Sequence, residues 1–398
     1  MKILQLIIAF KPSTFGGIKN HVYHQAKEMV KNGHYVEICT SNAYSRRKNN
    51  EEKGTKYIDR IKVIYFRRFF PLNFYFIPML VFYLRKNIRK FDIIHMQDFR
   101  TFPNIVGYFF ARLYGVPYVL SAGGSVPRGR LPKALKKWSF DKILGDKMLK
   151  NASVLIALSK VEVMQYQKVG IPKDKIRIVP NAIDPEDVPE SLEPGCFKKK
   201  HKINDLAVIS FLGRIHKIKG LDFLVKSFSK LLQIKPSSVL VIAGDDHGYL
   251  EELKDIIAQL GISEKVIFTN YISGLDKWSL YVDSDVFVLP SKKEGFGNVI
   301  PEAAFCETAV VLSDGCAIAD QVQANEFGIV VPFGDVKKLS STLLRVLTDD
   351  QLRKKMAKNG KEFVLNNWTW DKSTNILLDI YSEILRKSKN TEKIILCS

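Results

Sequence analysis

The sequence predicts an α/β protein of two domains, each built around a parallel sheet. Short apolar runs rich in Val, Ile, Leu and Phe alternate with helix-length segments along most of the chain, which is the pattern of strands joined by helical crossovers. Glycines follow three of these runs, at Gly16-Gly17, Gly213 and Gly295-Phe296-Gly297, where a sheet of this kind presents its carboxyl edge to ligands. With 398 residues, 46% of them hydrophobic and 26% charged, the chain can fill two cores.

In the first half, Lys2–Phe10 reads as strand one. Its single Lys, short apolar run and lack of a small-residue cleavage site argue against a signal peptide. A helix is expected from Ile18 to about Asn32, closed by Gly33, and Gly16 and Gly17 place bare backbone N–H groups at its start. The pair is not the G-x-G-x-x-G dinucleotide fingerprint, which counts against a dehydrogenase. His21 reads as a partly buried helix histidine. Tyr35–Ser41 and Ile61–Phe66 are strands, with Tyr44–Arg60 a polar loop between them. Further strands are expected at Phe91–Met96, Pro117–Leu120, Ala152–Leu158 and Lys175–Pro180. Ser159 is placed to cap a helix with Glu162 at the capping-box position. Three prolines and a basic run over Pro185–Lys200 mark the interdomain linker.

Charge is distributed unevenly. The formal net charge is +20, yet residues 1–180 hold 33 lysines and arginines against 11 carboxylates. A surplus confined to one half points to an anionic partner there: a membrane surface, a phosphorylated acceptor or nucleic acid. Nucleic acid fits least, because the aromatics cluster in one apolar block and no recognition motif is present. That block, Phe69–Leu84, carries no charge and lies between Arg67-Arg68 and Arg85-Lys86. It is shorter than the roughly 20 apolar residues of a spanning helix and contains Pro71 and Pro78. It can be a helix of the domain core or an interfacial segment beneath a basic collar, and the collar favours partial membrane contact. Arg128, Arg130, Lys133, Lys136 and Lys137 offer a second basic stretch suited to an anionic acceptor.

The second half alternates regularly. Strands are expected at Val208–Leu212, Val239–Ala243, Val266–Thr269, Asp285–Pro290, Ala309–Leu312 and Gly328–Val331. The stretch Asp285–Glu307 organises the rest: a buried strand, a polar loop with Glu294, Gly295, Phe296 and Gly297, then a helix with Pro301 and Glu302 in its first turn. Arg214 and Lys219, in Gly213–Gly220, follow the first strand of this half. An arginine that forks to two oxygens beside a lysine point charge suits a diphosphate. Taken alone, Glu302 could equally complement the helix dipole and Glu294 be a solvated loop charge.

The three glycine stretches in this order, with Glu294 and Glu302 separated by seven residues, resemble the retaining glycosyltransferases of GT-B fold, family 4. The resemblance covers nearly the whole chain. It implies two facing Rossmann-like domains: residues 1–185 on the acceptor side, joined by a returning helix in 372–398, and residues 186–371 binding a nucleotide-diphosphate sugar. Arg214 and Lys219 would hold the diphosphate and stabilise charge on the leaving phosphate, with Glu294 as the third catalytic group, on sugar hydroxyls near the anomeric carbon. Glu302 would accept from the ribose, and Gly16, Gly17, Gly295, Phe296 and Gly297 would line the donor. No metal and no cofactor beyond the donor is implied. Asn181-Ala-Ile-Asp184 and Gly244-Asp-Asp-His resemble family turns with single replacements. Gly123 stands where the family usually has a histidine beside the sugar, which keeps open a sugar-nucleotide-binding homologue without transfer activity. The expected acceptor is a lipid-linked or otherwise anionic glycan. Five cysteines without metal or C-x-x-C spacing fit a reduced chain, placed in the cytoplasm and peripherally on the cytosolic membrane face.

Overall fold

The computed structural model describes residues 1–10, 17–42, 54–69, 76–127 and 133–396. The chain forms two compact units, one from Met1–Asn181 with the segment beginning at Trp370, the other Ala182–Thr369.

The sheet of the first unit comprises β1 (Lys2–Ala9), β2 (Tyr35–Ser41), β3 (Gly54–Ile58), β4 (Ile61–Phe66), β5 (Ile93–Gln97), β6 (Tyr118–Ser121), β7 (Val154–Ala157) and β8 (Ile176–Ile178). Their order is β3-β4-β2-β1-β5-β6-β7-β8, parallel except for β3, which runs antiparallel to β4. Alternate β1 side chains feed opposite faces: Leu4 and Leu6 join one core and Ile3 and Ile7 the other. The second core is completed by the helix Gly17–Lys31, through Val22, Ala26 and Met29, and by the last helix, Trp370–Leu396. Leu377, Tyr381 and Ile384 of that helix recur on one face and are buried there, so the chain returns to its first unit, as the resemblance implied.

Several local expectations are corrected. The polar stretch before β4 is not all loop. Gly54–Ile58 pairs with β4 through Asp59-Arg60, both at positive φ (48° and 64°). A two-residue hairpin needs such angles and usually takes them from Gly or Asn, which is why the turn was hidden; residues 43–53 lie outside the described set. Pro185–Lys200 is not a free linker: Phe197 is buried in the second unit's core and Asp283 accepts from the Gly195 and Lys198 N–H groups. Ser159 makes no side-chain cap; Glu162 instead accepts from Leu158 N (2.8 Å) and Gly124 N (2.7 Å). Leu80, within the uncharged block, is core, as are Leu84 and Ile88. No helix among the described residues is long and apolar enough to cross a membrane.

His95, in the middle of β5, is fully buried, and its ring nitrogens meet Ser121 Oγ at 2.6 Å and Tyr381 OH at 2.7 Å. Burial, aided by the charge of His21, lowers its pKa to about 3. Burial likewise lowers His21 to about 4, against a raising hydrogen bond to Asn181. Both rings are therefore neutral in the fold and ordinary in the unfolded chain, so each withdraws stability as the pH falls below about 6.5. Asp98, raised by burial to about 6, acts oppositely over part of that window and masks the effect in a melting curve. The direct measurement is NMR. The ring resonances of His21 and His95 are expected not to titrate between about pH 8 and pH 5, and a midpoint above 5.5 for either would show it to be solvated.

The second sheet contains β9 (Ala207–Leu212), β10 (Ser238–Ala243), β11 (Val266–Asn270), β12 (Val286–Leu289), β13 (Val310–Ser313) and β14 (Gly328–Val331). All neighbours are parallel, in the order β11-β10-β9-β12-β13-β14. The order reverses between β9 and β12. Crossovers leave to opposite sides there, opening a crevice at the carboxyl ends of these two strands.

Candidate nucleotide-sugar site

The loops after β9 and β12 meet at this reversal. Arg214 is exposed beyond β9. A 3₁₀ turn, Lys217–Lys219, follows, capped by the His216 ring, whose Nδ1 accepts from Ile218 N at 3.1 Å. Gly220 then takes φ 67° against the carbonyl of Pro290, where a Cβ would overlap. Lys292 N donates to Ile218 O at 2.9 Å. These contacts seat Lys219 beside the loop carrying Glu294, and the two side chains form an ion pair, only 13% and 19% exposed.

Glu294 is held from a third direction. Its N–H donates to Gly315 O and its carbonyl accepts from Ala317 N, both at 3.0 Å, so the loop after β13 braces it as a short parallel bridge to Cys316. Gly315 packs so closely on the carbonyls of Ser291 and Lys292 that no Cβ fits. Gly297 takes φ 84°. Phe296 is buried, with its ring on Trp368 (5.3 Å between centroids). It is therefore a buried prop of the loop. Gly295 has open space about its Cβ position.

Glu302 lies in the helix Val299–Phe305. Its two oxygens have separate partners: Tyr281 OH donates to Oε2 at 2.8 Å, and Lys277 Nζ lies 3.2 Å from Oε1. Both partners come from the helix Leu275–Val282. Burial first, and the Glu302 charge next, raise the Tyr281 phenol far above its usual pKa, so it stays a donor. Lys277 also sits over the Trp278 ring at 3.9 Å, held by a cation–π contact. The exposed Tyr271, after β11, feels the charges of Asp245 and Glu302, which add to burial in raising its pKa. Sequence reading found neither Lys277 nor Tyr281. They lie on a polar-faced helix more than 20 residues from Glu302 (Tyr281 is 21 away), and no motif marks them.

Of the residues singled out by sequence, Arg214, Lys219, Glu294, Gly295, Phe296, Gly297 and Glu302 all lie on loops or a helix start beyond the β9 and β12 ends. Gly17 opens the helix Gly17–Lys31 in the first unit. Gly16, Arg128 and Arg130 lie outside the described residues, as do the side chains of Lys133 and Lys136. Gly123 and Gly124 both take positive φ (55° and 77°), a region that costs a side-chain-bearing residue strain. Their loop is tied down by Glu162 and by Tyr166, whose OH accepts from Ala122 N at 2.9 Å.

Residues 15–187 match the family described as Glycosyltransferase Family 4, and residues 196–363 the one described as Glycosyl transferases group 1. An uncharacterised glycosyltransferase of Methanocaldococcus jannaschii is 26% identical over 96% of this chain and 98% of its own. The D-inositol 3-phosphate glycosyltransferase of Saccharomonospora viridis is also 26% identical, over 76% of this chain and 72% of its own length. Among solved structures, the Anabaena protein HepE, in complex with UDP and glucose, superposes with a TM-score of 0.74 at 18% identity, covering 96% of this chain and all of that one. Two parallel-sheet α/β units in this order and two family matches covering most of the length lead to one conclusion: the chain belongs to the family 4, group 1 glycosyltransferases of GT-B fold.

Proposed function

We propose that the chain moves a sugar from a nucleotide-diphosphate sugar, with retention of anomeric configuration and without a metal, to a lipid-linked or other anionic glycan acceptor. The observation that carries this is the Lys219–Glu294 pair at the β9–β12 reversal, with Arg214 on the same loop after β9 and Glu302 anchored in the helix that follows the β12 loop. In the free protein the two charges neutralise each other. A donor supplies a better partner for each: its diphosphate takes the Lys219 ammonium and the Arg214 fork, and its sugar hydroxyls donate to the Glu294 carboxylate. As the bond from the anomeric carbon to the diphosphate oxygen breaks, the acceptor oxygen bonds to that carbon and its hydroxyl proton passes to the departing phosphate. Negative charge grows on the phosphate, which the Lys219 and Arg214 cations stabilise, and positive charge on the anomeric carbon, which the Glu294 carboxylate stabilises, as preorganised electrostatic groups do. Glu302, with its carboxylate plane fixed by Tyr281 and Lys277, accepts from vicinal ribose hydroxyls.

The Anabaena structure with UDP and glucose supports such a donor, and the Saccharomonospora relative, named for a phosphorylated inositol, supports an anionic acceptor. A lipid-linked acceptor would place the protein peripherally at the cytosolic face of a membrane. Gly123 favours a second reading, a sugar-nucleotide-binding homologue that does not transfer. A transfer assay with the donor that binds separates the two.

The test is thermal shift across a panel of nucleotide sugars and their diphosphates. One nucleotide series is expected to raise the melting temperature, by about 2.7 kcal/mol of added stability at a hundredfold excess over Kd; no response to any of them would end the donor reading. A narrower prediction concerns Tyr281→Phe. It leaves Glu302 Oε2 short of a donor, worth about 1–2 kcal/mol, and is expected to weaken nucleotide binding by roughly tenfold in calorimetry. Unchanged affinity would show that Glu302 does not read the ribose.

A further inference from the structure

We infer that the first unit docks on an anionic phospholipid bilayer through one face made by the helices Pro78–Asn87 and Phe102–Tyr114. The inference rests on the membrane-side acceptor proposed above and names the surface that reaches it. The uncharged block marks only part of this face. Its Leu80 and Leu84 point into the core, but the opposite side of the same helix leaves Phe82 63% and Met79 54% exposed. The neighbouring helix does the same. Phe109 and Leu113, four residues apart and so on one side of the helix, are 59% and 57% exposed, while the half-buried Phe102 and Ile105 pack against the core at the margin of this exposed side. Phe76, itself 43% exposed, joins the two helices by packing edge-on against Phe102 at 4.9 Å.

A monomer rarely spends this many large side chains on water in one place. The charges around them say what covers them. Arg85 and Lys86 are exposed in the last turn of the first helix, Arg89 and Lys90 are exposed in the 3₁₀ turn Ile88–Lys90 that follows it, and the exposed Arg112 lies between Phe109 and Leu113 in the sequence of the second. From Arg60 to Phe140 the only carboxylates in the sequence are Asp92 and Asp98. A second copy would bring a like-charged face against this one and be repelled. A bilayer of anionic lipid instead accepts the apolar side chains below the headgroups and the guanidinium and ammonium groups among the phosphates, the paired signals that reversible docking requires.

The test is vesicle flotation of the full chain on neutral and on mixed neutral and anionic phospholipid, with size-exclusion chromatography alongside. The wild type is expected to float with the anionic mixture, less so as salt rises, and to remain monomeric. The variant Met79→Ser, Phe82→Ser, Phe109→Ser, Leu113→Ser changes only exposed positions. It is expected to melt like the wild type and to bind at least about tenfold more weakly. A wild type that stays unbound on anionic vesicles at low salt overturns the inference, as does a variant that floats equally well. A dimer abolished by the variant, without flotation, assigns the face to a second copy instead. Nucleotide-induced thermal shift keeps the two claims apart: failed flotation with an intact shift removes only the docking face, and a missing shift removes the donor reading whatever the vesicles do.

Discussion

Glu294→Gln is expected to lower sugar transfer by about 10²–10³-fold, the scale seen when one preorganised electrostatic group is removed, while leaving nucleotide diphosphate affinity equal or slightly higher. The asymmetry follows from the ion pair. In the free protein Lys219 is held by Glu294, both largely buried. Glutamine keeps the shape of the side chain but releases the lysine for the diphosphate. Lys219→Ala acts in the other direction. It removes a phosphate contact and leaves the largely buried Glu294 carboxylate without its cation, so both transfer and nucleotide binding fall, the latter by about tenfold or more. Calorimetric titration with the nucleotide diphosphate, paired with initial rates, separates the roles. Equal losses of nucleotide affinity in the two variants would mean that Glu294 contacts the diphosphate side and that the two residues do not divide the donor between them.

Gly244→Ala is expected to destabilise the second unit by about 3 kcal/mol or more, a fall in melting temperature of roughly 6–12 °C for a unit of this size. Two causes add. Gly244 follows β10 with φ 144°, a conformation that alanine adopts only under strain, and its Cβ would overlap the carbonyl oxygen of Gly213. Both neighbours are fixed: Gly213 N donates to Ala243 O at 2.9 Å and Gly244 N to Asn270 O at 2.8 Å. The loops after β9 and β10 therefore cannot part without breaking strand-end hydrogen bonds. Gly295→Ala is the control. Its Cβ position is open and its φ is not positive, so stability should hold within about 0.5 kcal/mol. A loss of transfer there without loss of stability would place the donor against Gly295. A Gly244→Ala protein that melts with the wild type would show that these loops are pliable and would weaken the case for a preorganised site.

The division of labour between sequence and tertiary structure follows from range. Period and glycine placement are local, so the chain alone determined the parallel strands, the reversal-point loops and the family: β2, β4 and β14 lie where their apolar runs begin and end, and the Glu294–Glu302 spacing survives as written. Composition alone also confined the positive charge to one half. Which face a side chain takes is not local. The uncharged Phe69–Leu84 block reads as one object, yet burial in the first unit's core turned Leu80 inward and left Met79 and Phe82 outside. The strand at Gly54–Ile58 was hidden because Asp59 and Arg60 adopt turn angles that pairing, not propensity, imposes. Glu162 passed over the cap its spacing allowed because the Gly124 loop, 38 residues away, offered a second N–H. Only the fold brought Lys277 and Tyr281 to Glu302 and Glu294 to Lys219, 75 residues apart, because a doubly wound sheet places the ends of β9 and β12 side by side however far apart they lie along the chain.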